Sequence, residues 1–152
     1  MSLTSPTAAH EVLIDSSVWI DHLRGVRTRE TTILGRLLAW LDPELERSGR
    51  DATANLLIGD IILCEVLRGI ADPGEHAAVK DVLLSFEVVT IGGADLALTA
   101  ADHYRSLRRR GVTVRKTIDL LIGTWCIARD CALLHSDRDF EPMTQHLGLR
   151  AL

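Results

Sequence analysis

Short apolar runs alternate with helix-length segments along the 152-residue chain, and no hairpin signal interrupts them. This alternation constrains the fold more than any other feature. Parallel strands need long crossovers, usually helical. The pattern therefore specifies an α/β fold, a three-layer α/β/α single domain around a mostly parallel central sheet.

The first strand is Glu11–Ile14, an apolar run that stops at Asp15-Ser16-Ser17. Those polar residues can cap a helix over Val18–Arg24, ended by Gly25. Ile33, Leu34, Leu37, Leu38 and Leu41 recur at helical spacing within Thr28–Leu41, and Asp42-Pro43 closes that segment. A polar loop, Glu44 to Thr53, precedes a second strand at Asn55–Ile58. Helices follow over Ile61–Ile70 and Glu75–Ser85, separated by the Ala71-Asp72-Pro73-Gly74 break. Phe86–Ile91 reads as the third strand. After Gly92-Gly93 come helices at Ala94–Arg110 and Thr117–Arg129, then a fourth strand at Cys131–His135. Ser136 to Asp139 is a polar turn, and Gly148–Leu152 is expected as a short edge strand. Residues 1–10 read as a flexible leader and residues 11–152 as one domain.

A chain of this length buries roughly two-thirds of its unfolded surface, enough for a core without covalent staples. Aromatic residues make up only 4%, so Leu, Ile, Val and Ala must build that core. Cys64, Cys126 and Cys131 are odd in number and lack C-x-x-C spacing, so they are expected to be reduced, packed thiols. No apolar run is long enough to span a bilayer, and the leader lacks the blocks of a signal peptide. The expected location is the cytoplasm. The net charge of −4 argues against a general nucleic-acid coat protein, which would be basic. Positive charge nevertheless crowds into one stretch, with Arg105, Arg108, Arg109, Arg110, Arg115 and Lys116. These groups can guide a phosphate backbone or can simply solvate a helix end.

Open parallel sheets bind ligands beyond the carboxyl ends of their strands. Asp15 follows the first strand and Asp137 the fourth, so both fall on one edge. Glu65 lies on a helix that is apolar nearly all round, with Ile61, Ile62, Arg68 and Gly69 as its neighbours at helical spacing. That helix is expected to be substantially buried, where a carboxylate needs either Arg68 or a cation. Asp119 sits in the first turn of its helix. Taken singly, these acids are ordinary: Asp15 a cap, Asp119 a dipole complement, Asp137 and Asp139 turn residues. Taken together, four acids at strand ends and on adjoining helices can converge. Clustered carboxylates repel unless a cation lies between them, and all-oxygen ligation suits Mg²⁺ or Mn²⁺.

At these residues the chain resembles the PIN-domain family, and within it the VapC-type toxins of toxin–antitoxin pairs. The matching segments are LIDSSVWIDHLRG (Leu13 to Gly25), CEVLRG (Cys64 to Gly69), TIDLLIGTWCIA (Thr117 to Ala128) and LLHSDRDF (Leu133 to Phe140). The resemblance implies an acidic quartet of Asp15, Glu65, Asp119 and Asp137. Asp15 and Asp119 would be principal metal ligands; Glu65 and Asp137 would complete the site. Ser16 and Ser136 match positions of small hydroxyl residues that orient ligands or water. Asp21 and Asp139 match further frequent acids, expected to support the site, with Asp139 nearer the metal. The resemblance also implies a sheet in the order 3-2-1-4-5, Mg²⁺-dependent endoribonuclease action, a homodimer and a cognate antitoxin. Gly123-Thr124-Trp125 departs from the family, which often carries alanines there.

Two other readings compete. One is a PIN-like module that has lost catalysis and acts only by binding a partner. The other is a receiver or phosphotransfer domain. It fails on Ser17, which stands where a phosphotransferase wants its second acid, and on Glu11, poorly placed for a receiver's paired acids. The six histidines show no ligand spacing, and no glycine-rich phosphate loop is present.

Overall fold

The computed structural model describes residues 10–41 and 54–152. Residues 1–9 of the expected leader, the helix stop at 42–43 and the loop 44–53 lie outside the described residues, while His10, expected in the leader, begins the first strand. In chain order the elements are β1 (His10–Ile14), α1 (Ser16–Leu23), α2 (Arg29–Trp40), β2 (Ala54–Gly59), α3 (Asp60–Arg68) and α4 (Pro73–Leu83). There follow β3 (Glu87–Val89), α5 (Ala94–Arg109), α6 (Thr117–Arg129), β4 (Ala132–Leu134), a 3₁₀ turn (Arg138–Phe140) and α7 (Glu141–His146).

The sheet has the order β3-β2-β1-β4, and each pairing is parallel. Right-handed crossovers then put α1 to α4 on one face and α5 and α6 on the other. The helix packing agrees: α1 meets α2 and α3, α3 meets α4, and α5 meets α6. Helices on both faces explain why β1 ends in three consecutive buried residues and β4 is buried throughout. Leu13, Ile14, Ile58, Leu133, Leu134 and Phe140 are at the centre of the core.

Local chemistry sets the helix starts. Asp15 caps α1 by accepting from the Ser17 N–H. Thr28 and Thr31 form a reciprocal capping box on α2. Asp72 caps α4 just before Pro73, whose fixed φ suits a first turn.

Four expectations need correction. β3 spans three residues rather than six, because it lies at the sheet margin and pairs only with β2. Ile91 is still buried, but as loop, its N–H donating to Asp60 Oδ1 (3.0 Å). The expected fifth strand shrinks to a single parallel bridge, Leu133 with Ala151, held by Leu133 N–H to Arg150 O (2.8 Å) and Leu152 N–H to Leu133 O (3.1 Å). The polar turn after β4 winds into a 3₁₀ turn and a short helix carrying Pro142 in its first turn. Finally, α3 buries only Ile62 and Val66, and Cys64 is exposed rather than packed.

Two glycines sit where a side chain would meet a neighbour. A Cβ on Gly59 would run into Ile91 Cδ1, and a Cβ on Gly123 would come within 2.5 Å of both Sδ and Cε of Met143, whose flexible thioether would have to shift. Leu133, fully buried, opposite Leu13 of β1 in the ladder and hydrogen-bonded to the Ala151 segment, lies at the end of the sheet that carries the site. Leu133→Ala should cost about 2–5 kcal/mol, read as a lower urea midpoint with an unchanged slope.

Candidate active site at the switch point of the sheet

From β1 the sheet grows one way to β2 and β3, while β4 adds on the other side. Strand order reverses between β1 and β4, the place where open α/β sheets bind ligands. The two strand ends are tied there: the Asp15 N–H donates to Leu134 O at 2.9 Å. Asp15 thus stands beside the loop that carries His135, Ser136 and Asp137.

Asp15 is 3% exposed. Its Oδ2 accepts from the Ser17 hydroxyl at 2.5 Å and the Ser17 N–H at 3.1 Å. Burial raises its pKa; the Ser17 bonds oppose the rise and the Glu65 charge adds to it. The Ser17 hydroxyl also accepts from the Ser136 N–H at 3.3 Å, linking the ends of β1 and β4 a second time. Ser17 was passed over in the sequence, although Asp-x-Ser at a strand end is the pattern of a cap that can return a hydroxyl to its own acid.

Glu65, half-buried on α3, accepts from the Ser16 hydroxyl at 2.8 Å. Among the described residues no ion pair joins it to Arg68, so that alternative is set aside. Partial exposure of Glu65 weakens the desolvation argument, and Ser16 orients the carboxylate.

Asp119, Asp137 and Asp139 each offer one carboxylate oxygen, and the three lie within 4.8 Å of one another. Asp119 is 6% exposed, and its Oδ2 is buried without a hydrogen-bond partner. Burial pushes the Asp119 carboxyl up to about 7; Lys116 works against this, and the Asp15, Asp137 and Asp139 charges reinforce it. Asp137 differs. Burial raises it, but the Asp139 N–H (3.0 Å) and the Lys116 ammonium outweigh that and hold it below the usual range. His135 is pushed down by burial, and its ring lies 4.8 Å from that of Phe140.

Of the expected quartet, then, Asp119 and Asp137 share the tight group and Asp15 feels both Asp119 and Glu65. Asp139 joins the group more closely than its expected supporting role implies, while Asp21 stays outside it. Ser136 contributes its backbone rather than its hydroxyl. Among the expected RNA-guiding residues, Arg108, Arg109, Arg110 and Arg115 are exposed, and Arg108 donates to Thr113 Oγ1. Lys116 departs from that group: it folds over the first turn of α6 onto Asp137. An all-oxygen donor set with one buried, unsatisfied carboxylate oxygen fits a hard divalent cation.

Residues 12–144 match the model of the PIN domain, and the chain belongs to the PIN-domain family. Among curated proteins it is similar to VapC ribonuclease Mb1587 of Mycobacterium bovis, at 26% identity over 140 residues, covering 92% of this chain and 96% of the relative. Ribonuclease VapC11 of Mycobacterium tuberculosis matches equally, at 26%. Among solved structures the fold is similar to VapBC2 from Rickettsia felis bound to a DNA fragment from their promoter. There the TM-score is 0.65 at 15% identity, covering 93% of this chain and 97% of that one. VapBC-1 from nontypeable Haemophilus influenzae gives a TM-score of 0.64 at 14% identity, covering 93% and 96%.

Asp119 binds its proton up to about pH 7 when folded, against 3.8 as the ordinary value. The folded chain holds the extra proton between those values, so this group's contribution to stability falls as pH rises through that window. Thermal melts in EDTA should show it as the difference between wild type and Asp119→Asn, which separates it from the oppositely signed His135. Wild type should lose Tm relative to the variant between about pH 4 and pH 7.

Proposed function

We propose that this chain is a metal-dependent endoribonuclease that hydrolyses RNA phosphodiester bonds and is the toxin of a toxin–antitoxin pair. One observation carries the reading. Three carboxylates crowd within 4.8 Å at the switch point of the sheet, one with a buried oxygen that accepts no hydrogen bond among the described residues. The names of the curated relatives supply the ribonuclease assignment, at 26% identity across nearly the whole length.

Asp15 and Asp119 are the principal candidates to hold Mg²⁺ or Mn²⁺, with Asp137 and Glu65 completing the site. Asp139 joins them, by the place of its oxygen in the carboxylate group. A divalent cation there supplies Lewis acidity toward a phosphate oxygen and a water that ionises near neutral pH. The protein's own part is positioning. Ser17 holds Asp15 against the β4 loop, and Ser16 aims Glu65. The Asp139 N–H fixes Asp137 through Oδ1. Arg108, Arg109, Arg110 and Arg115 are placed to guide the RNA backbone. A silent partner-binding module is disfavoured, because such a module gains nothing from keeping repelling, desolvated carboxylates together.

The solved structures similar in fold are of VapBC complexes. On that basis the partner is a cognate antitoxin that lays a segment over the acidic cleft, and the working form is a homodimer. Residues 11–152 form the nuclease domain. No helix among the described residues is long and apolar enough to cross a membrane, consistent with action in the cytoplasm.

Cleavage of labelled RNA in Mg²⁺ tests the assignment. Asp15→Asn and Asp119→Asn should each lower activity by more than the roughly 10–100-fold typical of losing an outer partner of a metal site. Circular dichroism should show the fold intact. Excess EDTA should abolish cleavage by the wild type; full activity there would refute the metal-dependent reading. Expression should be toxic to the host, and Asp15→Ala should relieve it.

A further inference from the structure

We infer that Lys116 is a resident cation of the acidic site, which a divalent ion must displace from Asp137 in order to bind. The inference rests on the metal-dependent reading above and concerns what sets the affinity of that site. Lys116 precedes α6 in extended backbone and makes no capping hydrogen bond with its side chain. It folds instead over the first helical turn. Its Nζ donates to Asp137 Oδ2 at 2.7 Å and lies 3.7 Å from Asp119 Oδ2. That second oxygen is the buried one that has no hydrogen-bond partner.

The ammonium and a divalent ion therefore draw on the same two carboxylates. A charge-assisted bond of this length is among the stronger ones a side chain makes. Two cations cannot share oxygens a few ångströms apart without strong repulsion. Among the described residues Lys116 has no third anchor, and its side chain is 59% exposed, so it can swing into solvent once an ion takes its place. Arg108, Arg109, Arg110 and Arg115 lack this contact: among the described residues only Lys116 pairs with Asp119 or Asp137. The spacing is legible as Lys-x-x-Asp, an ion pair at i,i+3 across a helix start.

The test is titration of Mn²⁺ into the full chain at about pH 8 and low salt, followed by calorimetry, where Asp119 is ionised. Lys116→Met should bind Mn²⁺ at least about threefold more tightly than wild type, and Lys116→Arg, which keeps the charge, should stay near wild type. Lys116→Gln repeats the comparison should the Met variant fold poorly. In the wild type itself, the ζ-nitrogen resonance of Lys116 should shift as Mg²⁺ is added. Equal or weaker Mn²⁺ binding by Lys116→Met and Lys116→Gln, or a ζ-nitrogen signal indifferent to saturating Mg²⁺, overturns the inference and leaves the nuclease reading standing. No Mn²⁺ binding by wild type or any variant overturns the nuclease reading, and this inference with it.

Discussion

Two strands that are more than a hundred residues apart in the chain lie hydrogen-bonded side by side, and the site depends on that pairing. β1 and β4 run parallel, with Val12, Leu13 and Ile14 opposite Ala132, Leu133 and Leu134. Their shared end is tied by the Asp15 N–H and again by the Ser17 hydroxyl. A one-residue slip would exchange the two faces of β4. It would also move His135, Ser136 and Asp137 away from Asp15. Burial on both sides of the sheet makes such a slip costly, so the register of an apolar core also sets the spacing of the acids.

What the core gains, the site partly gives back. Asp15 and Asp119 are both nearly inaccessible to water and both disfavour their charged forms. Desolvated like charges are tolerated only with specific compensation. Each acid has a different one: Ser17 for Asp15, Ser16 for Glu65, the Asp139 N–H and Lys116 for Asp137. Asp119 has the least: its Oδ2 accepts no hydrogen bond among the described residues, and its carboxyl is pushed up to about 7. A folded chain that retains such a group is not optimised for stability alone, and perturbed acids of this kind gather at functional sites.

Much of this was readable in the residues. The alternation of runs specified parallel strands, and the rule for strand ends then gathered Asp15 and Asp137 without any structure. Caps at Asp15, Thr28 and Asp72 follow from local chemistry, which needs only neighbours in sequence. The misreadings share a cause. The length of β3, the shrinking of the last strand to one bridge and the exposure of Cys64 on α3 depend on what packs beyond each element, and periodicity carries no such information. The direction of Lys116 is not legible for the same reason: a charge count cannot tell a side chain that faces solvent from one that folds back onto an acid. Ser17 was missed because its bond to Ser136 spans 119 positions.

The contact between Gly123 and Met143 bears on what α6 tolerates. α6 carries Asp119 on one turn and, one turn later, the bare backbone against which the thioether of α7 rests. Where α6 faces the terminal helix, an absent side chain is matched with a long flexible one. A methyl group at that place on α6 would make only the thioether step aside, so alanine and glycine can exchange there while the turn that carries Asp119 keeps its place.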